Sequence, residues 1–497
     1  MAKKRGFPAP LTIIMIVIVL AAIATWFVPA GSYNRLSYGE NHFVLTSKEA
    51  AVTLPATQET LDSLGIKIAL EKFSGGDIRK PVAVPGTYNH EPAERQGIIS
   101  VLQAPFKGMY DTIDIILFIL ATGGFIAIFY ESGALEKGIQ ALGRKMTGKE
   151  NSLIIIFTFL FALGGSSYGM AEETIAFYPL LVPIFLAAGF DLLVPVAVIF
   201  LGSTIGTMAA VTCPFSVIIA SNAAGINWVA GTGGRIIMFV LCTAVTISYI
   251  LYYGKKVKRD PSCSFVRRFD GDVKPKFTVT ENNDNNELSL RDKFVLLLFA
   301  LTFGMLVYGV VALGWWLLEM SALFFASSLL LALIIRTPEK TFVAKFIRGA
   351  EDLLSVAFIV GFARGVTIIL NDGHISDSIL YYAAGIIQGM PPALFIISIF
   401  VLYLFLSIFI ASSSGMAVLT MPIIAPLGVM IGMDNLHIVN AYLFGMGIMN
   451  IITPTGLVLP ALTMVNVSYK TWLRFILPLL VILFFMSIIY LLIGVLF

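Results

Sequence analysis

Long apolar runs alternate with short polar stretches along this chain, and several runs are long enough to cross a bilayer. The segments 112–130, 234–253 and 475–497 each approach the roughly 20 apolar residues a helix needs to span the hydrocarbon core. Backbone N–H and C=O groups find no water there, so such runs must become helices packed on one another. The same pattern predicts spans at 11–28, about 194–222, 294–313, 315–335 and 353–370. Segment 151–190 differs: two apolar arms meet at Gly164-Gly165-Ser166-Ser167-Tyr168-Gly169, the pattern of a re-entrant hairpin. The polar stretch 31–104 is predicted to form an extracytoplasmic cap of turns and short strands. Residues 259–292, with Asn282-Asn283-Asp284-Asn285-Asn286, read as a flexible cytoplasmic linker.

Composition places the chain firmly in the membrane class. It is 58% hydrophobic and 13% charged, whereas soluble domains carry about 25% charged residues. The net charge of +3 matters less than its placement. Lys3, Lys4 and Arg5 precede the first span, and three later clusters fall on the same side: Lys137 to Lys149, Lys255 to Arg259, and Arg336 to Arg348. The loop 371–390, on the other side, holds no Lys or Arg. The positive-inside rule therefore predicts a multi-pass protein of a bacterial inner membrane, with a cytoplasmic N-terminus and an extracytoplasmic C-terminus. No A-x-A-like cleavage site closely follows the first span, and Trp26-Phe27-Val28-Pro29 resembles an interfacial anchor, so this helix is expected to be retained.

Chemistry of other classes is missing from the sequence. No basic patch interleaves with aromatics, which argues against nucleic acid as a partner. Cys213, Cys242 and Cys263 have no CxxC spacing, and His42, His90, His374 and His437 are scattered without HExxH. No GxSxG occurs either, so an intramembrane enzyme is disfavoured and no cofactor is expected.

An internal repeat organises the rest. Pro179, Pro183, Gly189, Asp191 and Gly202 recur as Pro422, Pro426, Gly432, Asp434 and Gly445, each displaced by 243 positions. Gly108, Asp111 and Gly124 recur as Gly349, Asp352 and Gly365 at a displacement of 241. Ser167-Tyr168-Gly169-Met170-Ala171 faces Ser413-Ser414-Gly415-Met416-Ala417. The predicted organisation is an N-terminal transmembrane helix (1–30), the cap (31–104), a first repeat (105–258), the linker (259–292), two scaffold helices (293–345) and a second repeat (346–497). The charge tally makes the repeats inverted. The fold class expected is an all-α polytopic membrane protein, each repeat carrying a re-entrant hairpin and a broken helix.

Inverted repeats with broken helices place a binding site near mid-membrane, which predicts a secondary active transporter for a small-molecule substrate. The breaks fall at 164–169 and Ser412-Ser413-Ser414-Gly415 for the hairpins. They fall at Thr212-Cys213-Pro214 and Thr453-Pro454-Thr455-Gly456 for the broken helices. Proline frees carbonyls, glycine admits close backbone approach, and hydroxyls supply hard oxygen donors. Glu172 and Glu173 lie just past the first tip, where an ionisable group is costly and marks function by default; they also suit the first turn of a half-helix. Arg364, inside 353–370, either grips a substrate carboxylate in a two-pronged contact or permanently pairs with Glu172, Glu173 or Asp372. The candidate substrate-binding residues are Ser166, Ser167, Gly169, Glu172, Glu173, Thr174, Asn222, Arg364, Ser413, Ser414, Gly415 and Thr455. Ser167, Thr212, Ser413 and Thr453 are candidate Na+ ligands, with Na+ or H+ as coupling ion. Two glutamates and one arginine fit an amino acid, especially a cationic one; a dicarboxylate needs Na+ or protons to offset repulsion.

The run 161–179, with Gly169-Met170-Ala171-Glu172-Glu173-Thr174 at its centre, resembles the YfcC-like carriers. Trp26-Phe27-Val28-Pro29-Ala30-Gly31, Gly202-Ser203-Thr204-Ile205-Gly206 and Ala363-Arg364-Gly365 match as well. These carriers include arginine/ornithine antiporters and group with the C4-dicarboxylate anaerobic carriers in the ion transporter superfamily. The resemblance covers nearly all of the chain outside the cap and the linker. It implies an elevator-type carrier, usually a homodimer, whose hairpin tips and broken helices bind substrate and coupling cation. This sequence departs from the family at Cys213-Pro214-Phe215, where members often carry Asn-Pro-Phe.

Overall fold

The computed structural model describes residues 10–496 except 40, 48–50, 67, 75–77, 79–80, 135–136, 139–140, 142–148, 272, 275, 278–288, 314, 388 and 411. Lys3, Lys4, Arg5, Arg144, Lys145 and the run Asn282–Asn286 therefore lie outside the described residues. Among the described residues, eight helices are long and apolar enough to cross a membrane.

Helix α1 (Pro10–Phe27) leads into the cap. The membrane part is all-α, and the cap carries the short strands expected of it. Strands β2 (Arg35–Gly39), β3 (His42–Thr46), β4 (Ala51–Pro55) and β5 (Val82–Ala83) form an antiparallel sheet in the order β4-β3-β2-β5. A second, two-stranded pair joins β1 (Gly31–Ser32) to β6 (Asn89–His90). Leu36, Phe43, Leu61 and Phe73 close a small core beneath the larger sheet, with α2 (Gln58–Ser63) and α3 (Leu70–Ser74) contributing the last two.

Helical structure resumes at Ile98, inside the stretch read as cap, with α4 (Ile98–Asp111) and α5 (Ile113–Glu131). Next come α6 (Glu150–Ser167), a 3-10 turn (Glu172–Phe177) and α7 (Tyr178–Ala187). The predicted crossing at 194–222 is split into α8 (Leu193–Met208), an unwound stretch, a π turn (Pro214–Ile218) and α9 (Ile219–Ala223). Helix α10 (Thr232–Arg259) and the short α11 (Phe265–Phe269) follow. The two middle helices are α12 (Leu290–Leu313) and α13 (Leu317–Ile335). The span predicted at 353–370 proves to be the second half of α14 (Glu339–Asp372). Glu339, Lys340, Lys345 and Arg348 make its first half too polar to register as a span.

The second half of the chain ends with α15 (Ser376–Ile387), α16 (Pro392–Leu406), α17 (Ser413–Met430), α18 (Asn435–Asn450), α19 (Val458–Val465) and α20 (Tyr469–Leu496). Its element order from α16 onward matches that from α6 to α10. The matched landmarks have matched physical roles. Gly189 and Gly432 both sit at left-handed φ, +85° and +76°. Asp191 and Asp434 each accept from the backbone N–H two residues ahead, at 3.2 and 2.9 Å, starting the next helix. Gly202 and Gly445 lie where α8 and α18 press against α6 and α16. A Cβ would stand 2.8 Å from Phe161 Cβ in the first case and 2.8 Å from Phe400 O in the second.

Helix α14 packs antiparallel to α4 and α5 through the same kind of glycine contact. A Cβ on Gly108 would lie 2.3 Å from Gly361 O, and one on Gly349 2.3 Å from Gly123 O. Ion pairs clamp both ends of this crossing: Lys107 to Asp372 and Lys345 to Glu131, each at 2.6 Å.

The cap is fastened to the start of α15. Asp377, nearly buried, accepts from Tyr33 N at 2.9 Å and from Arg35 Nη2 at 2.7 and 2.8 Å. Tyr88 stacks on Tyr381 with ring centres 4.0 Å apart and donates to Ser378 Oγ at 2.9 Å. Asp377→Ala strands two donors, so it should cost about 2 kcal/mol and expose the cap to limited proteolysis. A cap as protease-resistant as the wild type would show that the aromatic stack holds it unaided.

Candidate functional site

The breaks converge. A cavity of about 410 Å³ is bounded on one wall by Asp111, Thr112, Asp114, Trp316, Arg364 and Thr367, from α4, α5, α13 and α14. A second wall is built from the hairpin turn Gly169–Thr174, Cys213, Phe215, the Ser412–Ser414 tip, Asn450 and Thr455–Leu457.

Local sequence explains how the first tip reaches the cavity. Gly169 takes φ +82°, and a Cβ there would lie 2.7 Å from Cys213 Sγ, so only glycine lets the turn rest on the broken helix. The chain then starts the 3-10 turn with Glu172 and Glu173, both lining the cavity. Glu173 Oε2 accepts from Ala171 N at 2.9 Å, and Thr174 Oγ1 donates to Ala171 O at 2.6 Å. The first-turn role for the acids and the cavity role are thus realised together. Across the second tip, Ser412 caps α17 by accepting from Gly415 N at 3.1 Å, which aims the positive end of an 18-residue helix at the cavity.

Of the residues singled out above, Gly169, Glu172, Glu173, Thr174, Arg364, Ser413, Ser414 and Thr455 line the cavity. Others hold the breaks in place. Ser166, buried behind the tip, accepts from Val211 N at 3.1 Å, and the Ser167 hydroxyl donates to Leu163 O at 2.7 Å. Thr212 donates to Ser167 O at 3.1 Å, and Thr453 to Ile408 O at 3.3 Å. These two contacts are counterparts, since Thr453 and Ile408 follow Thr212 and Ser167 by 241 positions, which sets Ser167 against Ile408 rather than Ser413. Gly415 supplies the capped N–H rather than a wall. Asn222 is buried in α9, which packs against α17 away from the cavity. Of the four candidate Na+ ligands, only Ser413 faces the cavity.

Arg364 pairs with none of its expected partners. Its Nε donates to Asp111 Oδ2. The glycine contact of Gly108 with Gly361 and Gly365 brings the end of α4 beside Arg364, while Asp372 is taken by Lys107. Asp114, Trp316 and Asn450 escaped the sequence reading altogether, and Phe215 entered it only as a neighbour of Cys213. Phe215 and Trp316 lie 5.1 Å apart, ring centre to ring centre, one from each wall. Asp111 carried one signal, as a landmark of the repeat.

The profile of the C4-dicarboxylate anaerobic carriers matches residues 7–496. The chain belongs to that family. The carrier is 39% identical over 482 residues to an uncharacterised protein of Haemophilus influenzae, covering 96% of this chain and 94% of the relative. It is 28% identical over 506 residues to YfcC of Escherichia coli, a candidate basic amino acid antiporter, covering 98% and 96%. Among solved structures, the YdaH transporter of Alcanivorax borkumensis aligns at 14% identity and a TM-score of 0.40, over 98% of both chains. MtrF of Neisseria gonorrhoeae, from a class of antimetabolite efflux pumps, aligns at 18% and 0.39, over 99% of this chain and 96% of its own. The protein is a multi-span membrane carrier and not an enzyme.

Proposed function

We propose that the protein is a secondary active transporter of cationic amino acids of the arginine or ornithine type, working by exchange or by Na+ or H+ coupling. The charge balance of the cavity carries this reading. Asp111, Asp114, Glu172 and Glu173 face it against one cation among the described residues, Arg364, which is already engaged by Asp111. The name of YfcC points the same way.

Alternating access by two inverted halves is part of the proposal. A Cβ on Gly108 would lie 3.2 Å from Arg364 C and one on Gly349 2.3 Å from Gly123 O. The 241-residue displacement exchanges these two contacts, which supports a two-fold relation across an antiparallel crossing. The hairpins and broken helices would then move as a unit past α5 and α14, in elevator fashion.

The competing reading is a dicarboxylate carrier. The family name supports it, and so does the positive end of α17 at Ser412–Ser414. Uptake of radiolabelled arginine by proteoliposomes, competed by ornithine or by succinate, separates the two. Competition by ornithine alone is expected; competition by succinate alone would replace the cationic reading with the anionic one.

A further inference from the structure

Arg364 and Asp111 touch through one atom of each. The guanidinium donates from Nε to Oδ2 and forms no other hydrogen bond or ion pair with a described residue, and Asp111 is likewise held by nothing else. Both side chains stay partly open, at 30% and 42% exposure, and both line the cavity. The neighbouring cation, Lys107, is committed to Asp372 at 2.6 Å. Packing has no need of the Arg364–Asp111 contact. Helices α4 and α14 already meet backbone to backbone at Gly108, Gly361 and Gly365, and a partly exposed ion pair adds little to folding.

The geometry leaves the Nη groups of Arg364 and the Oδ1 of Asp111 without a partner among the described residues, on two side chains that touch and both line the cavity. A carboxylate fits the planar Nη fork through two parallel hydrogen bonds. An ammonium group donates to a carboxylate oxygen beside it. We propose that this pair docks the α-carboxylate and α-ammonium groups of the substrate, so that the carrier selects an intact α-amino acid over a decarboxylated amine or a simple dianion. Asp111 has a second part to play as a positioning residue, since its hold on Nε fixes the plane of the fork. The proposal rests on the reading of the protein as an amino acid carrier. It assigns the head of the substrate to this wall and leaves the cationic tail to Glu172 and Glu173, which line the same cavity.

The test compares arginine with agmatine, which keeps the guanidinium tail but lacks the carboxylate, and with argininic acid, in which a neutral hydroxyl replaces the α-ammonium group. Binding to the purified full-length protein is measured by calorimetry, so variants that cannot complete a transport cycle still report. The wild type should bind arginine at least about tenfold more tightly than either analogue, the loss expected when one charge-assisted contact goes unmade. Arg364→Gln should erase the preference over agmatine while agmatine affinity changes less than about twofold. Asp111→Asn should erase the preference over argininic acid. Arg364→Lys keeps the charge without the fork and should recover only part of the arginine affinity. Equal weakening of arginine and agmatine in Arg364→Gln, or a wild type indifferent to the missing carboxylate, overturns the assignment. A wild type that binds neither arginine nor ornithine overturns the amino acid reading itself, a different result.

Discussion

Uptake of arginine or ornithine should fall to background when Glu172 or Glu173 is replaced by glutamine. The substitution keeps shape and hydrogen-bonding oxygen, so Glu173→Gln can still accept from Ala171 N, and the tip should fold normally. What disappears is the negative charge in a cavity shielded by two protein walls, where a lost charge-paired contact costs about 2–5 kcal/mol. That corresponds to a drop of at least about thirtyfold in affinity. Size-exclusion profiles in detergent would verify folding, and proteoliposome uptake would report function. Normal uptake by both variants would remove the acids from the site. The dicarboxylate reading predicts the opposite sign, since fewer carboxylates should strengthen succinate binding.

The largest structural effect is expected at Gly206. A Cβ there would lie 2.0 Å from Ala162 O and 2.9 Å from Ser166 N, both backbone atoms that cannot swing aside. Gly206→Val should lift α8 from α6 and break the contacts from Ser166 to the unwound stretch beyond Met208, costing about 3 kcal/mol or more. Loss of a monodisperse species, or a large fall in the unfolding temperature in detergent, is the expected outcome. Gly233→Val is the matched control, because its Cβ meets nothing within 4 Å. Equal stability of the two variants would mean that α6 and α8 do not touch as described.

Helix breaks proved easier to read than the cavity they build. Glycine, proline and hydroxyl residues stand out against apolar surroundings, so the tips at 164–169 and Ser412–Gly415 and the breaks near Cys213 and Pro454 were visible locally. The broken helices do unwind there, at Ala209–Cys213 and Ile451–Leu457, but the hairpin turns sit to one side of the runs read for them. Residues 164–167 and 413–415 stay helical, and the chain leaves the helix at 168–171 in one hairpin and at 407–410 and Ser412 in the other. Hydroxyl chemistry, by contrast, said nothing about direction. Ser167 and Thr212 turn to hairpin carbonyls, whereas Ser413 and Thr455 line the cavity. Asn222 misled for the same reason: a polar residue beside a break is equally suited to packing within it.

Long apolar runs and the Gly, Pro and hydroxyl residues that interrupt them were enough by themselves to indicate a multi-span membrane protein with broken helices. Each of these depends on short stretches of chain and on the intolerance of lipid for unpaired backbone groups. The partner of Arg364, the presence of Asp114 and Trp316 at the cavity and the seating of the cap on Asp377 depended on the tertiary structure. Those residues come from elements far apart in sequence, and which side chains meet is decided by where backbones can approach, as Gly108 against Gly361 brings Asp111 to Arg364.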